Sequence, residues 1–466
     1  MSDGLSDGEL SPRHERTQRL ADLRAWIEGF HRRRGDDDLV WITTPGLIAR
    51  SKVVYEERSR GRRLAPKRAR AVLDKHRLNA DSRWDLFDGV LFLASTDNQQ
   101  RAQRPIARRL GDQHPPSSPV RVSDSRIDDL GDRAIALADE LLDAAQRASL
   151  MVHEKRRVYL QLVGAAANLA WFETLIETTE PRAVVIGSTH SIPARALALA
   201  ARRAGVPSVY VPHAPVIADA RLVDLPVDFA ALRGPREVDY YQGFGADRAG
   251  IEAIGNPAVE APPSMPDLRP GTAPVFALPH YDEGTFEPVV AMVREALGDK
   301  VIASPHPRGN REFLRSKLPS GWELWEGRTF DLFRRGAQAV IQFSSGAALE
   351  SLQLGIPTIE LTFAGEEPNY PFLRHRGVPV VSTASELRRA IKDASPATVA
   401  EREELRAWAQ GWVSADGQAA AQAGAALIRR AASEGPRERP VWDAWRPAPG
   451  GRLGRLLRRA VRAADA

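Results

Sequence analysis

The chain has 466 residues, 43% hydrophobic and 27% charged, with a formal net charge of +5 and no cysteine. This is the composition of a folded globular protein long enough for two or three domains, and the missing thiols exclude disulfides and thiolate metal sites. No apolar run reaches the ~20 residues of a membrane-spanning helix. The opening MSDGLSDGELSPRHER carries no apolar stretch behind a basic start, so no secretory leader is expected and the expected location is the cytoplasm.

Residues 1–15 are polar and lack a pattern that could bury a core. Over 16–34, Leu20, Leu23, Trp26 and Ile27 fall on one face and predict a helix. Leu39-Val40-Trp41-Ile42-Thr43 reads as a strand. A basic run from Arg58 to Arg70 leads into a helical pattern near Ala71–His76. Such a run is ordinarily a solvated helix face, and it is also suited to an anionic polymer or lipid headgroups.

A doubly wound pattern starts at Asp88. Gly89–Leu93 is a strand, Ala107–Leu110 is helical, and Pro119–Val122 is the next expected strand. Long helices follow over about 129–148 and 154–177, then a strand at Ala183–Gly187, a helix from Pro193 to Ala204 closed by Gly205, and a strand at Ser208–Pro212. This alternation predicts a parallel sheet with helices on both faces. Residues 258–273, AVEAPPSMPDLRPGTA, read as a linker, and the alternation then restarts and continues to about residue 430.

The expected fold class is therefore α/β, with two Rossmann-like lobes about a central cleft. The expected segments are an N-terminal tail and helix (1–38), a first lobe (39–260), a second lobe (274–435), and a Pro-rich linker with a basic tail (436–466). In that tail Leu453, Leu456, Leu457, Ala460 and Val461 share one side of a short basic amphipathic helix, suited to an anionic membrane surface or to docking on the protein itself.

Three short motifs carry the chemistry of the second half. Each closes or follows an apolar run and precedes a helical pattern: Asp282-Glu283-Gly284 after Val275–Leu278, His306-Pro307 after Val301–Ala303, and Ser344-Ser345-Gly346 after Ala339–Ile341. In an open α/β sheet such loops converge in the crevice beyond the carboxyl ends of the strands. Serine hydroxyls and amides at a helix start suit a phosphate, and Glu350 on that helix suits a ribose hydroxyl. The structural alternative is that Ser345 only caps the helix. His306, held by Pro307 and joined by Arg308 and Asn310, suits a leaving phosphate, with a solvent-facing turn as its alternative. Asp282 or Glu283 suits deprotonation of an acceptor hydroxyl, or merely complements a helix dipole. His280 is a further polar candidate in the same loop.

In the first half, His190 in Gly187-Ser188-Thr189-His190 and His213 in VYVPHAP follow consecutive strands, as acceptor-side bases or as hydrogen-bonded structural histidines. No His-Glu-x-x-His or looped Asp-x-Asp is present, so neither a metal nor a cofactor is expected. There is no Walker lysine motif and no GxGxxG. The basic run lacks interleaved aromatics, so no nucleic-acid partner is expected.

The two-lobed pattern, Gly255-Asn256-Pro257 before the linker, and SSGAALESLQLGIPTIEL resemble the GT-B fold of nucleotide-sugar glycosyltransferases. The trio Asp282-Glu283-Gly284, His306-Pro307 and Ser344-Ser345 is similar to the short motifs of bacterial sialyltransferases and polysialyltransferases. Similar elements occur in capsular Kdo transferases and in CDP-glycerol polymerases. The resemblance implies a metal-independent transferase, Asp282 or Glu283 as base, and His306 with Ser344-Ser345 on the nucleotide phosphate.

It further implies a nucleotide-sugar donor, with a CMP-linked acidic sugar favoured, and a glycan or glycolipid acceptor, while the basic tail suits a peripheral contact at the inner face of an anionic membrane. The residue pattern leaves other readings open: a CDP-alcohol polyol-phosphate transferase, a UDP-sugar transferase, a 2-epimerase-like enzyme, and a non-catalytic glycan-binding scaffold. The loop PHYDEG resembles that of UDP-GlcNAc 2-epimerases without their arginine and asparagine, and His-Ala-Pro stands where many relatives show Gln-His-Gly.

Overall fold

The computed structural model describes residues 84–437 except 115–119, 121, 148–154, 218–224, 245, 259–272, 279–282, 307–308, 344, 363–367, 369, 395–396 and 415–416, together with 26–27, 39, 42–43, 67–69 and 71–72. The predicted linker and the amphipathic tail thus lie almost wholly outside the described residues.

Two six-stranded sheets organise the chain. The first contains β1 (Trp84–Phe87), β2 (Val90–Leu93), β3 (Ala183–Ile186), β4 (Ser208–Tyr210), β5 (Phe229–Leu232) and β6 (Ile251–Ala253), ordered along the sheet as in sequence. β1 runs antiparallel to β2, and every other pairing is parallel. The second contains β7 (Val275–Ala277), β8 (Ile302–Ser304), β9 (Glu323–Leu324), β10 (Val340–Gln342), β11 (Thr358–Leu361) and β12 (Val380–Val381). Its order is β12-β11-β10-β7-β8-β9, all parallel, which is the Rossmann order. The α/β class and the two Rossmann-like lobes of the GT-B expectation are present. β2, β3 and β5 are buried along their whole length, as continuous apolar runs covered on both faces require.

Helices cover both faces of each sheet. On one face of the first lie α2 (Asp124–Arg147), α3 (Lys155–Thr179) and α4 (Ile192–Arg203); on the other is α1 (Asp97–Leu110). α3 is apolar on nearly every side because it packs between α2 and α4. α5 (Pro235–Gly243) follows β5. In the second lobe α6 (Glu283–Leu297), α7 (Arg311–Lys317) and α10 (Ala384–Asp393) cover one face, and α8 (Thr329–Arg335) and α9 (Ala347–Gln353) the other.

α4 and α9 end alike. Gly205 (φ +70) and Gly355 (φ +65) adopt the left-handed conformation. The following amides close back on the helices, Val206 N–H to Ala201 O at 2.8 Å and Ile356 N–H to Ser351 O at 3.0 Å. Each helix is thereby turned straight into the next strand.

Several sequence expectations give way. Leu39, Ile42 and Thr43 are helical rather than a strand: Leu39 and Ile42 are fully buried one turn apart, and the Thr43 hydroxyl donates back to Leu39 O at 2.8 Å. Burial at a three-residue spacing overrides the β-propensity of Val, Trp and Ile. Val120 and Val122 are buried without being in a strand; β2 is flanked by β1, just before it, and by β3. The second lobe also shares its final helices. After α11 (Val399–Gln410), α12 (Gly417–Glu434) returns to the first sheet and buries Ala421, Ala425, Ile428 and Ala431 against β2–β5 beside α1. Its Gly424 is required there, since a Cβ would fall 2.6 Å from Ile106 Cδ1. No helix among the described residues is long and apolar enough to cross a membrane.

Candidate functional site

In the second sheet β7 lies between β8 and β10, and register pairs Ala277 with Ser304 on one side and Gln342 on the other. The chain therefore leaves the sheet at three neighbouring points: toward 278–282, toward His306 and toward Ser345. With strands about 4.8 Å apart, the outer two exits are separated by about 10 Å. The β7/β10 boundary is where the strand order reverses, and there the diverging connections open a crevice.

The exit from β10 is held by a buried polar chain. Gln342 is fully buried; its amide oxygen accepts Ser345 N–H at 2.6 Å, and its amide nitrogen donates to Glu360 Oε2 on β11. Ser345 Oγ accepts Ala347 N–H at 3.3 Å, but the N-cap position of α9 is Gly346 and carries no side-chain cap, so Ser345 is not the N-cap. Accepting uses a lone pair, which leaves the hydroxyl able to donate to a ligand. At β8, the His306 carbonyl accepts Gly309 N–H at 2.7 Å in a tight turn, and the imidazole is half-buried. Asn310 caps α7, its Oδ1 accepting Phe313 N–H at 3.1 Å, and its amide N–H donors take no part in that cap. Glu283 and Gly284 form the first residues of α6. His280, Asp282, Pro307, Arg308 and Ser344 lie outside the described residues.

In the first lobe the candidate residues follow β3, β4 and β5. His213 Nδ1 lies 2.7 Å from Gly187 O. A carbonyl only accepts, so Nδ1 carries the proton of the neutral ring and Nε2 is the atom that gains and loses one. His190 is exposed, with Nδ1 at 3.3 Å from Ser188 Oγ. Gly187 makes room for α1: a Cβ there would meet Gln99 Cγ at 2.7 Å. Glu237, buried at the start of α5, ties two loops together by accepting Val216 N–H at 3.0 Å and Arg233 N–H at 2.9 Å. Burial pushes its carboxyl up, opposed by the Arg233 charge and by those two amide bonds.

The lobes meet at these ends. A Cβ on Gly346 would lie 3.3 Å from Pro215 Cδ and 3.7 Å from the Tyr370 hydroxyl. The segment after α11 docks beside Arg233: Ser414 N–H donates to Arg233 O at 3.0 Å and Arg236 N–H to Gly411 O at 2.9 Å. Glu350, half-buried on α9, is pushed up by burial and pulled down by Arg233, Arg328 and Arg101. Two of those arginines come from the first lobe and one from the second. Burial and the Glu360 carboxylate raise the Tyr370 phenol to about 12, against Arg233. Burial likewise raises that of Tyr210, which Glu237 raises further and Arg233 opposes.

The sequence reading missed Arg233, Glu237, Gln342 and Tyr370. Arg233 had a usable signal: it ends the apolar run Phe229–Leu232 just before Gly234-Pro235, the same strand–loop–helix punctuation that marked the three motifs. Gln342 and Glu237 had none, because an isolated buried polar residue looks like any other until its partner is known.

No protein-family model matches the chain, and no curated protein matches it in sequence. Solved structures with partial likeness include a UDP-GlcNAc 2-epimerase from Methanocaldococcus jannaschii in complex with UDP-GlcNAc and UDP (15% identity, 57% of this chain and 81% of that one, TM-score 0.43). The S. aureus MnaA–UDP co-structure is similar at 17% identity, over 55% of this chain and 76% of that one, with a TM-score of 0.40. The lipopolysaccharide outer core galactosyltransferase WaaB, in its apo form, is similar at 13% identity, over 58% and 82%, with a TM-score of 0.35. Likeness at this level assigns no activity or ligand to the chain, and the functional case rests on its residues.

Proposed function

We propose that the facing strand ends form the donor and acceptor sites of a nucleotide-sugar glycosyltransferase. The observation that carries this reading is the adjacency of the exits after β7, β8 and β10 at the point of order reversal, with Gly346 at the β10 exit close to Pro215 of the first lobe. The second lobe would hold the donor, with Ser345 donating to the nucleotide phosphate and His306 stabilising its charge. An acceptor hydroxyl would attack the anomeric carbon as the bond from that carbon to the phosphate oxygen breaks. The nucleotide leaves with the electron pair, and the hydroxyl proton passes to Asp282, Glu283 or His213.

The finer reading is a CMP-linked acidic sugar and a surface polysaccharide or glycolipid acceptor, supported by the pairing of His306-Pro307 with Ser344-Ser345. The reaction is proposed to need no metal.

A thermal-shift panel with CMP, CDP, UDP, GDP and ADP, with and without EDTA, tests this. A ligand that binds only the native state raises the melting temperature. Stabilisation by CMP or CDP that survives EDTA supports the cytidine donor. Stabilisation by UDP or GDP moves the donor base, loss of the shift in EDTA overturns metal independence, and no shift with any nucleotide overturns the reading.

A further inference from the structure

Arg233 stands at the carboxyl end of β5 and is only 7% exposed. Its Nε has no hydrogen-bond partner, and the guanidinium makes no ion pair among the described residues. Only its backbone is engaged, through Glu237 and Ser414. A buried guanidinium that makes no ion pair is costly and is seldom kept for stability alone.

The surroundings point to what it is kept for. Its charge acts on Glu237 and Tyr210 of its own lobe and on Glu350 and Tyr370 of the other. Glu350 is also acted on by Arg101 and Arg328, both exposed, and by the carboxylate of Asp331. Gly346, next to Ser345, is within van der Waals reach of both Pro215 and Tyr370, which puts the serine turn and the Arg233 end of the first lobe on the same cleft.

We propose that Arg233 is the first lobe's phosphate ligand: its planar fork binds the phosphoryl oxygens of the nucleotide held by the Ser345 turn and so links the two lobes through the ligand. This rests on the nucleotide reading above. A fork suits two phosphoryl oxygens at once, whereas an ammonium offers a point charge. The pinning of Arg233 N–H by Glu237 Oε2 at 2.9 Å fixes the base of the side chain.

The test is calorimetric titration of wild type, Arg233→Gln and Arg233→Lys with CMP, UDP, cytidine, uridine and pyrophosphate. Arg233→Gln is expected to bind whichever nucleotide the wild type accepts at least tenfold more weakly, with nucleoside affinity unchanged. Arg233→Lys is expected to fall between the two, and it carries the test if the glutamine variant does not fold. Equal nucleotide affinity in wild type and variants overturns the role of Arg233 and leaves the nucleotide reading standing. An equal loss for nucleosides and nucleotides makes Arg233 structural and also overturns it. Pyrophosphate binding that depends on Arg233, without nucleotide binding, keeps the oxyanion site and overturns the nucleotide reading. Binding of neither overturns both.

Discussion

His213 holds Nδ1 at 2.7 Å from the Gly187 carbonyl, joining the loop after β4 to the end of β3. The bond sets the ring's tautomer and orientation, as a base acting through Nε2 requires. If His213 takes the acceptor proton, His213→Ala lowers kcat by about 10²–10⁴, and the lost bond to Gly187 O costs about 1 kcal/mol of stability. Steady-state kinetics with urea melts check this; full turnover in the variant would return the role to the carboxylates before α6.

His306 sits in a turn closed by its own carbonyl, so the side chain can be removed without breaking the turn. His306→Ala is expected to weaken nucleotide binding and abolish turnover, with a melting temperature near that of wild type. A variant that turns over normally would sink the phosphate role of the imidazole.

Gln342 links Ser345 to Glu360 inside the sheet. Gln342→Ala strips both groups of a buried partner and is expected to cost about 1–3 kcal/mol, with loss of nucleotide affinity as the Ser345 turn loosens. Denaturant melts and titration read the two effects separately; an unchanged affinity would show that the turn holds its shape unaided.

Glu237 supplies a pH-dependent term. Its carboxyl is raised above the ordinary 4.5 by burial, so between that value and the raised one the folded state binds more protons than the unfolded state. Stability from this group is complete below 4.5 and is lost as pH rises through the folded value. The stability of wild type relative to Glu237→Gln should therefore fall from pH 4 upward, a window that follows from the ordinary value of 4.5. Urea melts of both proteins from pH 4 to 8 decide it, and a flat or rising difference would contradict the direction.

Gly234 is required by close approach rather than by its dihedral angles, since its φ of −155° is extended. A Cβ there would lie 2.5 Å from the backbone carbon of Trp412. Gly234→Ala is expected to cost about 1–3 kcal/mol by overpacking and to separate Arg233 from the 411–414 segment. Thermal melting with nucleotide titration checks both, and a neutral variant would mean that the 411–414 segment yields freely.

The sheet-forming part of the fold was legible in the sequence where a strand is a short apolar run punctuated by Gly, Pro or a helix cap. β2, β3, β4, β7, β8 and β10 all carry that signal, and Gly205 and Gly355 mark the returns. β5 carried it too, at Gly234-Pro235, and went unread. The stretch 39–43 misled because its composition favours strands while its buried residues recur at helical spacing.

The sequence by itself determined the α/β class, the two rounds of strand–helix alternation, and the loops bearing His306 and Ser345. Those features are local, set by periodicity and turn chemistry over a few residues. Only the tertiary structure decided that β7 lies between β8 and β10, that α12 returns to the first sheet, and that Arg233 lies buried without an ion-pair partner among the described residues opposite Glu350. Strand order and the burial of a charge depend on contacts between residues as far apart in the chain as 233 and 350. No local pattern encodes which distant group a buried polar side chain will meet.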